Sequence, residues 1–231
     1  MSGMTFQRAR SPEQREIRRQ AILDTAAAML LEMPVAEVSL NELSRRVGLA
    51  KSNVLRYFES REAVLLELLD QASKQWLDEL PAELDTAVRS DAPVRERGDR
   101  LAAVVADSLA RRHVLCDLIS AQVAVLEHNV SVAVATRYKY ATLDSATTMA
   151  TLLRRHVPEV GDEAFILCGG IIAVASAVWP LSRPSPSVLA AYEADPALAV
   201  LRIDFTTALQ YALATLIAGA IARTTPGGQA G

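Results

Sequence analysis

Apolar residues recur at helical spacing along most of the chain, and the breaks between runs carry start and stop signals. Ile22, Ala26, Met29, Leu30 and Met33 form one stripe with the period of an amphipathic helix. Ser11 before Pro12 reads as its N-cap with proline in the first turn, and Pro34 ends it. Ser39 to Glu42 is a capping box, S-x-x-E, in which the Ser39 hydroxyl accepts from the Glu42 amide and the Glu42 carboxylate reaches back. Leu40, Leu43 and Val47 continue a short second helix, stopped by Gly48, where a left-handed backbone is cheap only for glycine. A third short helix is expected from Lys51 to Phe58, with Val54 and Phe58 inward. Ser60 caps a fourth, running to about Leu80, with Val64, Leu65, Leu68, Leu69, Ala72 and Trp76 on its buried side. Pro81 and the polar stretch 89–99 read as breaks. Further helices are expected near 100–112, 114–127, 130–156, 162–179 and 203–222, with a short one near 188–193. Residues 1–10 read as disordered and the Pro/Gly-rich end, 224–231, as a flexible tail.

Composition supports an all-α fold. The 231 residues are 51% hydrophobic but only 5% aromatic, and the abundant alanine and leucine are strong helix formers. That length is enough for one or two domains with a full core. Cys116 and Cys168, the two cysteines, sit in apolar runs without zinc-ligand spacing; they read as buried thiols in a reducing cytoplasm. No apolar segment follows Arg8 and Arg10 as a signal peptide requires. The stretch 164–182 carries no charge and is near the lower length limit for a membrane span. Gly169, Gly170, Ser176 and Pro180 within it, and no flanking basic cluster, favour a buried interface helix; no membrane partner is expected.

The net charge is −3, which by itself does not suit a nucleic-acid binder. Its distribution does: residues 1–62 hold ten Lys/Arg against eight acids, so the negative excess lies in the remainder. Two short helices separated by Gly48-Leu49-Ala50 form a helix-turn-helix at about 39–58. The second helix of such a pair enters the major groove, the groove that admits a helix and displays a readable base pattern.

The block Ser39 to Glu62, SLNELSRRVGLAKSNVLRYFESRE, resembles the DNA-binding segment of the tetracycline-repressor-like (TetR/AcrR-type) regulator family. Ser39, Leu43, Gly48, Leu49, Tyr57, Phe58, Ser60, Arg61 and Glu62 occupy positions matching that family's pattern. Ala50 stands where a polar N-cap is usual, Leu55 where an aromatic residue is common and Pro34 where a glycine often sits. The resemblance implies a three-helix DNA-binding domain over 1–62 and a helical ligand-binding and dimerisation domain over 63–223. It further implies a cytoplasmic homodimeric repressor, released from double-stranded operator DNA by a small, hydrophobic effector, with no cofactor, metal or catalytic role.

Side-chain chemistry distributes the roles. Lys51, Ser52, Asn53 and Arg56 lie on the outward face of the third helix. Asn53 suits adenine bidentately, and Lys51 or Arg56 suits guanine. Ser39, Tyr57 and Arg61 are expected on phosphates, with Arg46, Arg18 and Arg19 as further neighbours. Small residues on the helices near 162–179 and 203–222 suit a two-fold four-helix bundle. Candidate effector contacts in the middle helices are Cys116, Gln122, Tyr138, Met149, Phe165 and Trp179. Two rivals remain. One is a helical small-molecule-binding protein without DNA function. The other is an all-α enzyme using His113, Cys116 and Asp117, against which stands the lack of HExxH, GxSxG or Walker patterns.

Overall fold

The computed structural model describes residues 12–224. The expected Ser11 cap, the disorder expected for 1–10 and the tail beyond Thr224 lie outside the described residues. Among those residues there is no strand. The order is α1 (Pro12–Glu32), a 3-10 turn (Val35–Glu37), α2 (Leu40–Arg46), α3 (Lys51–Val54), α4 (Arg61–Ala87), α5 (Val94–Ala110), α6 (His113–Ala121) and a π-helical turn (Gln122–Leu126). Then come α7 (Val132–His156), a second 3-10 segment (Pro158–Glu163), α8 (Ala164–Leu181), α9 (Pro186–Ala194), α10 (Pro196–Ala199) and α11 (Phe205–Thr224).

Local chemistry accounts for the first four helices. Ser39 and Ser60 cap α2 and α4 by accepting from the Glu42 and Ala63 amides at 3.2 and 3.1 Å. Gly48 has φ 71°. The Leu49 amide donates to the Ser44 carbonyl at 3.0 Å and the Gly48 amide to that of Arg45 at 3.3 Å. This pair of bonds is a Schellman stop, which fixes the tight turn into α3. Only half of the capping box forms: the Glu42 carboxylate binds Arg45 and Arg46 at 2.6 and 2.8 Å instead of reaching back. Ala50 offers α3 no side-chain cap, and α3 is shorter than expected. After Val54 the chain tightens, with Arg56 donating to Asn53 and Tyr57 to Val54, and buried Phe58 anchors the end.

Two expected breaks are helical. Pro81 lies inside α4, which runs on to Ala87 because Leu77, Leu80 and Leu84 are buried on one side; packing outweighs the missing N–H. Pro81→Ala returns that donor to the Leu77 carbonyl and is expected to raise the unfolding free energy by about 1–3 kcal/mol. Urea unfolding measures it, and a lowered midpoint would show that the proline itself is required there. The polar stretch 89–99 is helical from Val94 on. Buried Arg97 explains this: it donates to the His156 and Ala92 carbonyls at 3.0 and 3.1 Å and pairs with Glu159. Gly98 lets α11 approach, since a Cβ there would sit 3.1 Å from Ile217 Cγ2.

One hydrophobic core runs from Ile22, Leu43 and Phe58 in the head, along α4, into the α5–α8 and α11 layer. α11 packs on α5 and α8, α6 on α8, and α4 on α7. The uncharged stretch 164–182 forms α8 and the turn after it. With its preceding turn α8, like α11, is long and apolar enough to cross a membrane, yet the two pack on each other. Their outer sides remain open: Phe165, Gly169, Ala173, Ala177 and Leu181 recur every fourth residue and are exposed, as is Tyr211 on α11, at 77%.

Candidate nucleic-acid interface and effector cavity

α2, the Gly48 turn and α3 put Lys51, Ser52, Asn53 and Arg56 together on one exposed face, with Val54 turned into the core. None of these four has a side-chain partner among the described residues. The other expected DNA contacts are placed differently. Ser39 is exposed but its hydroxyl caps α2. Tyr57 is half-buried, and its carbonyl accepts from Arg19 at 3.1 Å.

The neighbouring arginines are mostly spoken for. Arg46 is held by Glu32 and Glu42 at 2.7 and 2.8 Å. Arg61 donates to the Val38 carbonyl at 3.0 Å and pairs with Glu62, so its guanidinium braces the 3-10 turn against α4 rather than facing outward. Arg19 forks onto Glu67 and lies 4.4 Å over the Phe58 ring, which ties α1 to α4. Arg18 is exposed on α1 without a described partner. Three of the four arginines expected to touch DNA outside α3, Arg19, Arg46 and Arg61, are therefore intramolecular braces, because each lies within reach of a carboxylate of the protein itself.

A cavity of about 200 Å³ opens between α4, α6, α7 and α8. Leu69, Trp76 and Leu77 line it from α4, Ile119 from α6, Met149 from α7 and Ile171 from α8. Of the expected effector contacts, Gln122, Tyr138 and Met149 line this cavity, whereas Cys116, Phe165 and Trp179 do not. The Cys116 thiol donates to the Leu109 carbonyl inside the core, and burial pushes its pKa up to about 12. Phe165 points to the open side of α8, 46% exposed. Trp179 donates to Asp117 at 2.6 Å and packs between His113 and Phe205. The trio His113, Cys116 and Asp117 is thereby absorbed in packing: the thiol stays protonated and the carboxylate is taken by an indole, so no activated nucleophile stands there. Among the described residues no cluster of three metal-ligating side chains occurs.

Gln122 begins the π-helical turn, a distortion common at functional sites, and donates to Glu127 at 2.9 Å. Burial pushes the Tyr138 hydroxyl up to about 12, so it stays neutral. The sequence reading missed Asp70, a cavity residue whose Oδ2 binds Lys74 at 2.7 Å. The signal was present as a carboxylate among the buried leucines of α4.

A second missed contact joins head to body. Glu59, in the loop before α4, accepts from the Ser131 amide at 2.6 Å and hydroxyl at 2.8 Å. Ser131 is the N-cap of α7, where the helix dipole favours an anion. These hydrogen bonds hold the Glu59 carboxyl below its usual range. α7 thus touches the head at one end and lines the cavity further along.

Residues 22–68 match the family described as bacterial regulatory proteins, tetR family, and residues 70–224 match the tetracyclin repressor-like C-terminal domain. The two matches meet inside α4. The chain is 39% identical over 74 residues to the HTH-type transcriptional regulator EthR of Mycobacterium tuberculosis, covering 29% of this chain and 34% of that protein. The matched stretch thus spans about a third of that relative's length. Among solved structures, the fatty acid degradation regulator FadR from Bacillus halodurans superposes with a TM-score of 0.53 at 15% identity, covering 87% of this chain and 94% of that one. FadR from Bacillus subtilis, in complex with stearoyl-CoA, gives 0.53 at 12% identity, covering 87% and 98%. At these identities the superpositions establish the shared fold.

Proposed function

The chain belongs to the tetracycline-repressor-like family of bacterial regulatory proteins, and from that premise we propose that it is a cytoplasmic, dimeric repressor that a small molecule releases from operator DNA. The observation that carries this reading is the contrast within the head. Arg19, Arg46 and Arg61 are locked into internal pairs, while Lys51, Ser52 and Asn53 on α3 and Arg56 in the turn after it stand exposed with nothing to hold. Polar and cationic groups left free on one short helix and the turn that follows it suit the donor and acceptor pattern of the major groove. The cavity supplies the effector site. At about 200 Å³ it is only somewhat larger than the ~150 Å³ cavity that takes benzene. It therefore suits a compact apolar molecule, and a long acyl chain of the kind in the stearoyl-CoA complex of the Bacillus protein would need it to open. Fluorescence anisotropy with DNA flanking the protein's own gene tests the reading. Salt-sensitive binding selective over scrambled DNA is expected, and binding indifferent to sequence would overturn it.

The two functions are joined through α4 and through the Glu59–Ser131 contact. In a dimer whose two heads must reach successive major grooves, a ligand acts only through its differential affinity for the DNA-bound and released arrangements of the heads, so a movement of α7 would reach the head through Glu59. Glu59→Ala is expected to keep operator affinity close to wild type without effector. It should weaken the effector's influence by about 0.5–2 kcal/mol, the scale of single contacts along a coupling route. Operator titrations with and without effector measure this. Equal coupling in variant and wild type would leave α4 as the whole connection.

A further inference from the structure

The effector cavity is mostly apolar, and one polar atom of its lining residues is buried without a partner. Asp70 Oδ1 is buried and accepts no hydrogen bond from any described residue. Its partner oxygen is taken by Lys74 at 2.7 Å. Of the wall's other polar groups three are satisfied within the protein, and the Ser73 and Ser145 hydroxyls, which can both donate and accept, also line it. The Trp76 indole donates to Ser108 at 3.0 Å, the Gln122 amide to Glu127 at 2.9 Å, and the Thr142 hydroxyl to the Tyr138 carbonyl at 3.0 Å. A buried acceptor without a donor is rare in a native protein and calls for an explanation.

We propose that the cavity takes an apolar molecule tipped with a single hydrogen-bond donor, an alcohol or an ammonium group, seated on Asp70 Oδ1. The inference rests on reading this cavity as the effector site. A purely apolar occupant would leave that acceptor unpaired, forfeiting roughly tenfold to a hundredfold in affinity relative to one that supplies a donor. An anionic head would bring a second negative charge against the carboxylate in a low-dielectric wall. A donor satisfies the orphan oxygen, and the Asp70–Lys74 pair, neutral as a unit, admits a neutral or a cationic donor. Tyr138, held neutral, forms the adjoining wall.

Calorimetry on the full chain with four hexyl-sized probes tests this: 1-hexanol, hexylammonium, hexanoate and 1-methoxypentane. The two donor-tipped probes are expected to bind about tenfold or more tightly than the acid and the ether. Which of the two binds more tightly distinguishes a neutral from a cationic effector. Asp70→Leu should erase the preference while keeping ether binding at least as tight. Removal of an unsatisfied acceptor should leave its melting temperature no lower than that of wild type. Asp70→Asn, which keeps a carbonyl but not the charge, should retain the preference for hexanol and lose that for hexylammonium. Equal affinity for all four probes, or a donor preference that survives in Asp70→Leu, overturns the proposal and leaves the cavity as an apolar effector site. Failure of all four probes to bind overturns both the proposal and the reading of the cavity on which it rests.

Discussion

Ala173→Glu combined with Ala177→Glu is expected to turn the proposed dimer into a monomer, with at least a thousandfold rise in the dimer dissociation constant, about 4 kcal/mol. Both alanines lie on the open side of α8, in the stripe that runs from Phe165 to Leu181. That side and the outer face of α11 with Tyr211 are the apolar surfaces that α8 and α11 leave uncovered in one protomer. Soluble proteins seldom leave a contiguous apolar face of this kind in water. An α8–α11 pair facing its symmetry copy makes a four-helix bundle. Two-fold symmetry then brings each new carboxylate in twice, so four like charges would be desolvated together. Because the positions are exposed in the protomer, the circular dichroism spectrum and melting of the monomer should stay intact. Sedimentation velocity reads the outcome. Operator binding should fall with it, since the second half-site is no longer engaged at high effective concentration. A dimer that survives both substitutions would move the interface off α8.

What could be read from the sequence depended on how local the cause is. The start of α2, the Gly48 stop and the start of α4 depend on neighbours within a few residues, and Ser39, Gly48 and Ser60 sit where the pattern puts them. Pro81 and the stretch from Val94 to Asp99 misled because their fate depends on distant partners: buried leucines along α4, and the carbonyl of His156 far along the chain for Arg97. The cavity was half legible for a similar reason. α8 is apolar nearly all round, so periodicity cannot say that Cys168 and Ile171 face the cavity while Phe165 faces outward. Arginines were the hardest to assign. Arg56 and Arg61 look alike in the sequence, but only Arg61 has carbonyls and a carboxylate within reach of its guanidinium.

That difference between the arginines sets the most discriminating test of the reading head. Asn53→Ala with Arg56→Ala is expected to cost about 4 kcal/mol or more of operator affinity, about a thousandfold. Each base-reading pair contributes about 1–3 kcal/mol, and a dimer presents each side chain twice. Loss should concentrate on the operator, so that the variant's affinities for operator and scrambled DNA converge, while melting is unchanged because both side chains are exposed and unpartnered. Lys51→Ala should instead flatten the dependence on salt, by about one unit for each phosphate left without its cation, if Lys51 sits on the backbone rather than on guanine. Arg61→Ala should do neither. Its guanidinium holds the Val38 carbonyl, so the variant should lose stability in the head and keep the wild-type salt slope at temperatures where it is folded. Anisotropy titrations of operator and scrambled duplexes across a salt series, with melting curves on the same samples, separate the three. A double variant that still prefers operator as wild type does would take base reading away from α3, and a flattened slope in Arg61→Ala would return that arginine to the phosphates.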